Sequence, residues 1–294
     1  MNKIILFGGT GFLGGYLSKI LTDKGYSVSV VNRKDKNSLY YWDFESKERL
    51  LEILSEKQIV INLTGSPIIG KRWNKKVKQD LIDSRQKVNE LIISSINNTI
   101  NSKVELYISA SGIGYYGDTK ENEVNEDSIA GTDFVSEICQ KWEEPLEKLS
   151  IRKVIFRIGV VLHSTGGAYP KMSAPFRYYI GAALGSGKQY FPWIHLKDLV
   201  EMFVFAIENK SLNGIYNATA PEQVTNYEFS KELAKYLSRP LLPNIPAFIL
   251  KLILGESADV LLVGQKASSS KIIRAGFDFK YKTIADCLNN IDKL

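Results

Sequence analysis

Apolar and polar positions alternate between two spacings along the first half of the chain. Compact apolar runs at 3–7, 27–31, 58–63, 103–110 and 152–158 read as strands, and helical spacing fills the intervals at 12–24, 46–56, 73–98 and 133–149. Strand and helix in strict alternation predict an α/β fold with a parallel sheet and right-handed crossovers. Beyond Gly159 the alternation loosens. Glycine-rich turns at 164–167 and 185–187 lead into short elements, Pro240, Pro243 and Pro246 punctuate a connection, and 248–254 and 267–273 read as short helices. The expected organisation is a nucleotide-binding domain over 1–165, to which 188–220 returns, with 166–187 and 221–294 forming a smaller substrate-covering lobe.

The first strand runs directly into Gly8, Gly11 and Gly14, three residues apart, and then into a helical run containing Tyr16, Leu17, Ile20 and Leu21. This is the arrangement of a dinucleotide-binding turn: Gly8 makes the tight turn, Gly11 lets the backbone approach a diphosphate, and Gly14 lets the helix pack on the sheet. The expected fold is therefore a Rossmann-type doubly wound sheet, with Thr10, Phe12 and Leu13 completing the cofactor turn. After the second strand the chain reads Asn32-Arg33-Lys34, where a reader of an unphosphorylated ribose carries Asp or Glu. Two cations there suit a 2′-phosphate, so the expected cofactor is NADP(H). Solvated loop charge is the alternative for Arg33 and Lys34.

Lys and Arg outnumber Asp and Glu by 38 to 32, a formal charge of +6 that is spread along the chain. Its densest stretch, 71–78, reads as a solvated helix face or the rim of an anionic-substrate site rather than a nucleic-acid surface. Cys139 and Cys287 are too few for a disulfide framework. Together with His163 and His195 they lack metal-ligand spacing, so no metal is expected. No apolar run reaches the ~20 residues that cross a bilayer, and the sequence starts on a strand rather than a leader. No membrane partner is expected, the location read is cytoplasmic, and the partner is a small-molecule substrate. Monomer and homodimer both stay open.

Further motifs carry a family resemblance: Asn62-Leu63-Thr64-Gly65, Ser109-Ala110-Ser111, Arg72-Trp73, Ser84-Arg85, Gly114-Tyr115-Tyr116-Gly117, Trp142-Glu143, Lys171-Met172 and the run Trp193 to Leu199. In this order they resemble the extended short-chain dehydrogenase/reductase superfamily, and more narrowly its atypical branch of epimerase-family proteins, some of them named homologues of a cell-division inhibitor. The resemblance implies that Leu63, Thr64, Gly65 and Ser109 line the cofactor, and that Arg72, Trp73, Lys171 and Met172 lie at the substrate. Active superfamily members carry a Tyr and, four residues later, a Lys on the helix after the fourth strand. If Phe134 and Ile138 stand there, neither can move a proton.

Ser111 and Tyr116 remain as candidate catalytic residues, Ser111 with the alternative of capping a turn and Tyr116 with that of packing over the cofactor. Tyr116 and Lys120 have the Tyr-to-Lys interval but sit in a loop, without the helical geometry that would align them. His195 reads as structural, Asp198 as ordering the first turn of its helix, and Arg85 as either a ligand contact or a buried ion-pair partner. Two functions follow: an NADP(H)-dependent oxidoreductase or epimerase-like enzyme without the Tyr/Lys dyad, or a non-catalytic NADP(H) sensor.

Overall fold

A computed structural model of the chain describes residues 2–293. Six parallel strands form its central sheet: β1 (Lys3–Phe7), β2 (Ser27–Val30), β3 (Ile59–Asn62), β4 (Leu106–Gly112), β5 (Arg152–Ile158) and β6 (Gly214–Ala218). Their spatial order is β2-β1-β3-β4-β5-β6. The strand that would extend the sheet beyond β2 is reduced to a single parallel bridge between Asn32 and Tyr41.

Helices cover both faces. α1 (Phe12–Asp23) and α5 (Leu196–Glu208) enclose one apolar core with Ile4, Leu6, Ile61, Ile108 and Phe156. α2 (Lys47–Leu54) and α3 (Lys75–Asn98) enclose the other with Ile5, Phe7, Val60, Tyr107 and Ile155. Successive strand residues feed opposite cores, so strands buried on both faces read as unbroken apolar runs. α4 (Phe134–Glu143) packs beside α3. It is shorter than the 133–149 pattern because Pro145 lies in a separate 3₁₀ turn, Glu144–Lys148.

A third core of Leu162, Tyr169, Phe176, Trp193, Phe229 and Leu233 underlies the C-terminal half. Two elements there differ from the sequence reading. Ala267 lies in a two-residue strand pairing with Val124, not in a helix. Ile272, Phe277 and Phe279, expected in the covering lobe, pack instead into the α1/α5 core.

The chain's last segment is tied down by His195 and Asp198. His195 caps α5 itself: its Nδ1 accepts from the Lys197 amide at 3.1 Å and its Nε2 donates to the Asn290 carbonyl at 3.1 Å. Asp198 accepts the amides of Lys280 and Tyr281 at 2.9 and 3.0 Å, so it anchors the C-terminal segment rather than its own helix. Burial lowers the His195 pKa from 6.5 to about 4. The unfolded chain binds a proton that folded His195 refuses, so stability falls as pH drops from 6.5 toward 4, by up to about 3 kcal/mol from this group. Asp198, whose carboxyl burial pushes upward, opposes this over the acid end of the window. Urea unfolding across this range is expected to show a slope that His195→Gln reduces, the rest coming in part from His163, whose pKa burial also lowers; an unchanged slope in the variant would contradict the assignment.

Among the described residues, no helix is long and apolar enough to cross a membrane, and no three His, Cys, Asp or Glu residues cluster as a metal site.

Candidate functional site

The carboxyl ends of β1, β3, β4 and β5 lie along one edge of the parallel sheet, the edge at which open α/β sheets bind ligands, and the turn after β1 lies on it. Gly8 has φ +80°, and a Cβ on it would stand 2.9 Å from the Leu63 carbonyl carbon. A Cβ on Gly14 would stand 2.6 Å from Gly9 Cα. Only hydrogen fits at either position. Gly11 differs, since a Cβ there would meet nothing within 4 Å except the Gly8 oxygen at 3.3 Å. Its outer side is open, which is what close approach of a diphosphate requires. Gly11 is also the N-cap of α1, with no side-chain capping bond and no acidic residue in the first turn. The unsatisfied amides and positive dipole end are therefore free for an anion. Thr10 is exposed, whereas Phe12 and Leu13 turn inward on the α1/α5 core. Phe12 lies edge-on to Tyr16 and under Gly166 and Gly167, bringing the second glycine loop onto the start of α1.

Beyond β2, the Asn32 side chain accepts the amides of Lys34 and Asp35 at 2.8 and 3.2 Å and so shapes the loop. Arg33 and Lys34 are exposed, and the Arg33 guanidinium lies 5.0 Å from the Phe44 ring centroid. At the end of β3, Asn62 Oδ1 accepts from the Thr64 amide and hydroxyl at 3.0 and 2.6 Å, and its Nδ2 donates to Asn89 at 2.6 Å. Leu63 is half-buried and Gly65 exposed. Arg85 backs this turn: it donates to the Ser66 carbonyl at 2.8 Å, and a Cβ on Gly65 would meet its guanidinium at 2.9 Å. Among the described residues no carboxylate pairs with Arg85. Its partners are the carbonyls of Leu81 and Ser66, the Ser84 hydroxyl and the Trp142 ring 4.7 Å away, and burial lowers its pKa to about 10.

Both candidate catalytic hydroxyls belong to a buried network. Ser111 lies inside β4, in register with Arg157 of β5, and donates to Glu143 Oε1 at 2.6 Å. Arg157 holds the same carboxylate through Nε at 2.9 Å and Nη2 at 2.7 Å, and donates to Tyr116 Oη at 2.9 Å. Tyr116 donates to Asn217 Oδ1 at 2.8 Å. Burial alone would lower the Arg157 pKa, but the bonds and charge of Glu143 outweigh it and the net shift is upward. Burial also pushes Tyr116 up to about 12 against the pull of Arg157, so near neutral pH it keeps its proton.

Two sequence readings are corrected here. Ser109 is wholly buried and donates to the Ala110 carbonyl, so its hydroxyl is not presented to a ligand. Ser111 is neither open to a ligand nor a turn cap, because its hydroxyl serves Glu143. The α4 residues that face the end of β4 are Val135 and Cys139, one position on from Phe134 and Ile138. A Cβ on Gly114 would meet the Val135 side chain, and one on Gly112 would stand 3.2 Å from Cys139 Sγ. Burial, with Glu143 nearby, pushes the Cys139 thiol up to about 12 and keeps it protonated. Phe134 instead packs edge-on against Trp73 at 5.0 Å.

The expected substrate contacts are dispersed. The Trp73 indole donates to Ile68 within its own loop, and Arg72 donates to the carbonyls of Leu252 and Ile253, tying the C-terminal helix Ala247–Leu254 to the start of α3. Met172 packs on the third core, and Lys171 is exposed on the helix Tyr169–Arg177. The sequence reading missed Arg157, Asn89 and Asn217 as partners. An arginine within the apolar run of β5 was the available signal, since buried charge demands a partner.

Comparison with known proteins agrees with this architecture. A family model described as the NAD dependent epimerase/dehydratase family matches residues 4–136, and one described as a domain of unknown function matches 245–291. An epimerase family protein of Mycobacterium leprae is 35% identical over 292 residues, 97% of this chain and 94% of its own. The human epimerase family protein SDR39U1 is 32% identical over 295 residues, 98% of this chain and 99% of its own. A crystal structure of human SDR39U1, isoform 2, with NADPH superposes with a TM-score of 0.90 at 30% identity, covering 98% of each chain. With relatives of this identity spanning nearly their whole lengths, the chain belongs to the epimerase family of the short-chain dehydrogenase/reductase superfamily.

Proposed function

We propose that the protein binds NADP(H) at the β1–α1 turn and acts as an oxidoreductase or epimerase-like enzyme on an unidentified small substrate, without the superfamily's Tyr-x-x-x-Lys dyad. The observation that carries the cofactor reading is the turn itself: Gly8 and Gly14 have no room for a side chain, while the outer side of Gly11 is open above an uncapped helix N-terminus. Crystallisation of human SDR39U1 with NADPH supports it.

In this reading Gly11 and the first amides of α1 hold the diphosphate, Arg33 and Lys34 hold the 2′-phosphate, and Leu63, Thr64 and Gly65 line the ribose side. When bound, the cofactor supplies a hydride. The Glu143–Arg157–Tyr116 network holds the turn after β4 rigid, so Ser111 and Tyr116 act as positioning residues. Arg72, Trp73, Lys171 and Met172 border the substrate side, and the cytoplasmic location belongs to the same proposal.

A non-catalytic sensor is the second reading. It is favoured by the apolar Val135 and the protonated Cys139 on the α4 face turned toward β4. Substrate-dependent NADPH oxidation separates the two.

Arg33→Ala tests the cofactor choice. A charge-assisted contact contributes about 1.5–3 kcal/mol, so the NADPH-over-NADH preference is expected to fall at least about tenfold. An unchanged preference would return Arg33 to the solvated loop.

A further inference from the structure

We propose that the helix Ala247–Leu254 and the lysines beside it form a docking face for an anionic lipid bilayer. The helix reads AFILKLIL, and only Leu250 is buried. Phe248, Leu252 and Ile253 are 70%, 74% and 62% exposed. Side chains of this size are rarely left projecting together from a folded surface without a partner.

The basic stretch 71–78 lies against this helix. Arg72 donates to the Ile253 carbonyl at 3.2 Å and also to that of Leu252, while Lys78 pairs with Glu256 in the next turn. Lys71, Lys75 and Lys76 are exposed, and none has a carboxylate partner among the described residues. The first turn of α3 holds no acidic residue, and its positive dipole end adds to their field. Lys251 adds a further ammonium on the helix itself, paired with Asp259 at 3.1 Å.

Apolar side chains on a convex helix, flanked by unpaired lysines, match the boundary between anionic headgroups and acyl chains. A second copy of the chain fits poorly, because self-association would bring the same lysines together. An acidic surface alone would take the lysines but leave Phe248, Leu252 and Ile253 uncovered. Docking of this kind needs no spanning helix, and the proposal is independent of the nucleotide reading.

The test is co-sedimentation of the full chain with phosphatidylcholine vesicles, with and without phosphatidylglycerol, at low and high salt. Binding is expected only with phosphatidylglycerol, and it should weaken as salt rises. Each surface lysine contributes about fivefold, so Lys71→Gln/Lys75→Gln/Lys76→Gln is expected to weaken binding roughly a hundredfold. Phe248→Ser/Leu252→Ser should abolish binding with the melting temperature retained. The proposal is overturned by equal binding to neutral vesicles, by no binding to either, by variants that bind like the parent, or by a dimer that the Phe248/Leu252 variant converts to monomer.

Discussion

Glu143→Ala is expected to destabilise the protein by about 3–5 kcal/mol, because it leaves a buried cation without its counter-charge. Arg157 is 2% exposed and spends two of its donors on Glu143, at 2.9 and 2.7 Å. Ser111 loses its acceptor in the same change. Arg157 is then left with Tyr116 Oη and the face of the Tyr115 ring, 3.3 Å from its guanidinium, which cannot replace a carboxylate. The double change Glu143→Leu/Arg157→Met removes both charges and should recover much of the loss, since an apolar replacement of a whole buried pair is often neutral. Chemical denaturation of the three proteins gives the comparison. A loss below about 1 kcal/mol in Glu143→Ala, the range of an exposed pair, would show that the pair is solvated.

Gly14→Val is expected to have the second large effect, on stability and on ligand binding together. The added Cβ would overlap Gly9 Cα and the Gly8 carbonyl, both backbone atoms that cannot rotate away. Relief requires α1 to lift from the sheet, where Leu17 and Leu21 are fully buried. Overpacking of this kind costs about 3 kcal/mol at the upper end of the usual range. Because the same backbone forms the anion site, NADPH binding should be lost even where the variant folds. Gly15→Ala is the control. Gly15 is exposed on the same helix with nothing within 4 Å of an added Cβ, so that change should stabilise the protein by up to about 1 kcal/mol and leave binding intact. If Gly14→Val bound NADPH like the parent, the turn would not be the site.

The parts of this structure legible in the sequence were those set by local pattern. The glycine spacing at 8–14 and the apolar runs of β1 to β5 are consequences of backbone sterics and two-sided burial, which act over a few residues. The sequence pattern ends the fourth strand at 110, because Ser111 and Gly112 look like a turn. In the fold they continue the ladder opposite Arg157 and Ile158. The network of Ser111, Glu143, Arg157, Tyr116 and Asn217 joins three strands, a helix and a turn, the Tyr116–Asn217 bond spanning 101 residues, so no local spacing encodes it. Tyr116 looked available as an acid for the same reason: the partners of its hydroxyl lie far along the chain. The α4 face turned to the end of β4, Val135 and Cys139, is set by the close approach of Gly112 and Gly114, which no local spacing encodes.

The central claim is that the β1–α1 turn and Arg33 make an NADPH site, and a titration of the purified protein with NADPH and with NADH, followed by nicotinamide fluorescence, tests it most directly. The account predicts saturable NADPH binding at least about tenfold tighter than NADH binding, consistent with one charge-assisted contact to the 2′-phosphate. Equal affinity for the two would contradict the role given to Arg33, and binding of neither would contradict the site itself.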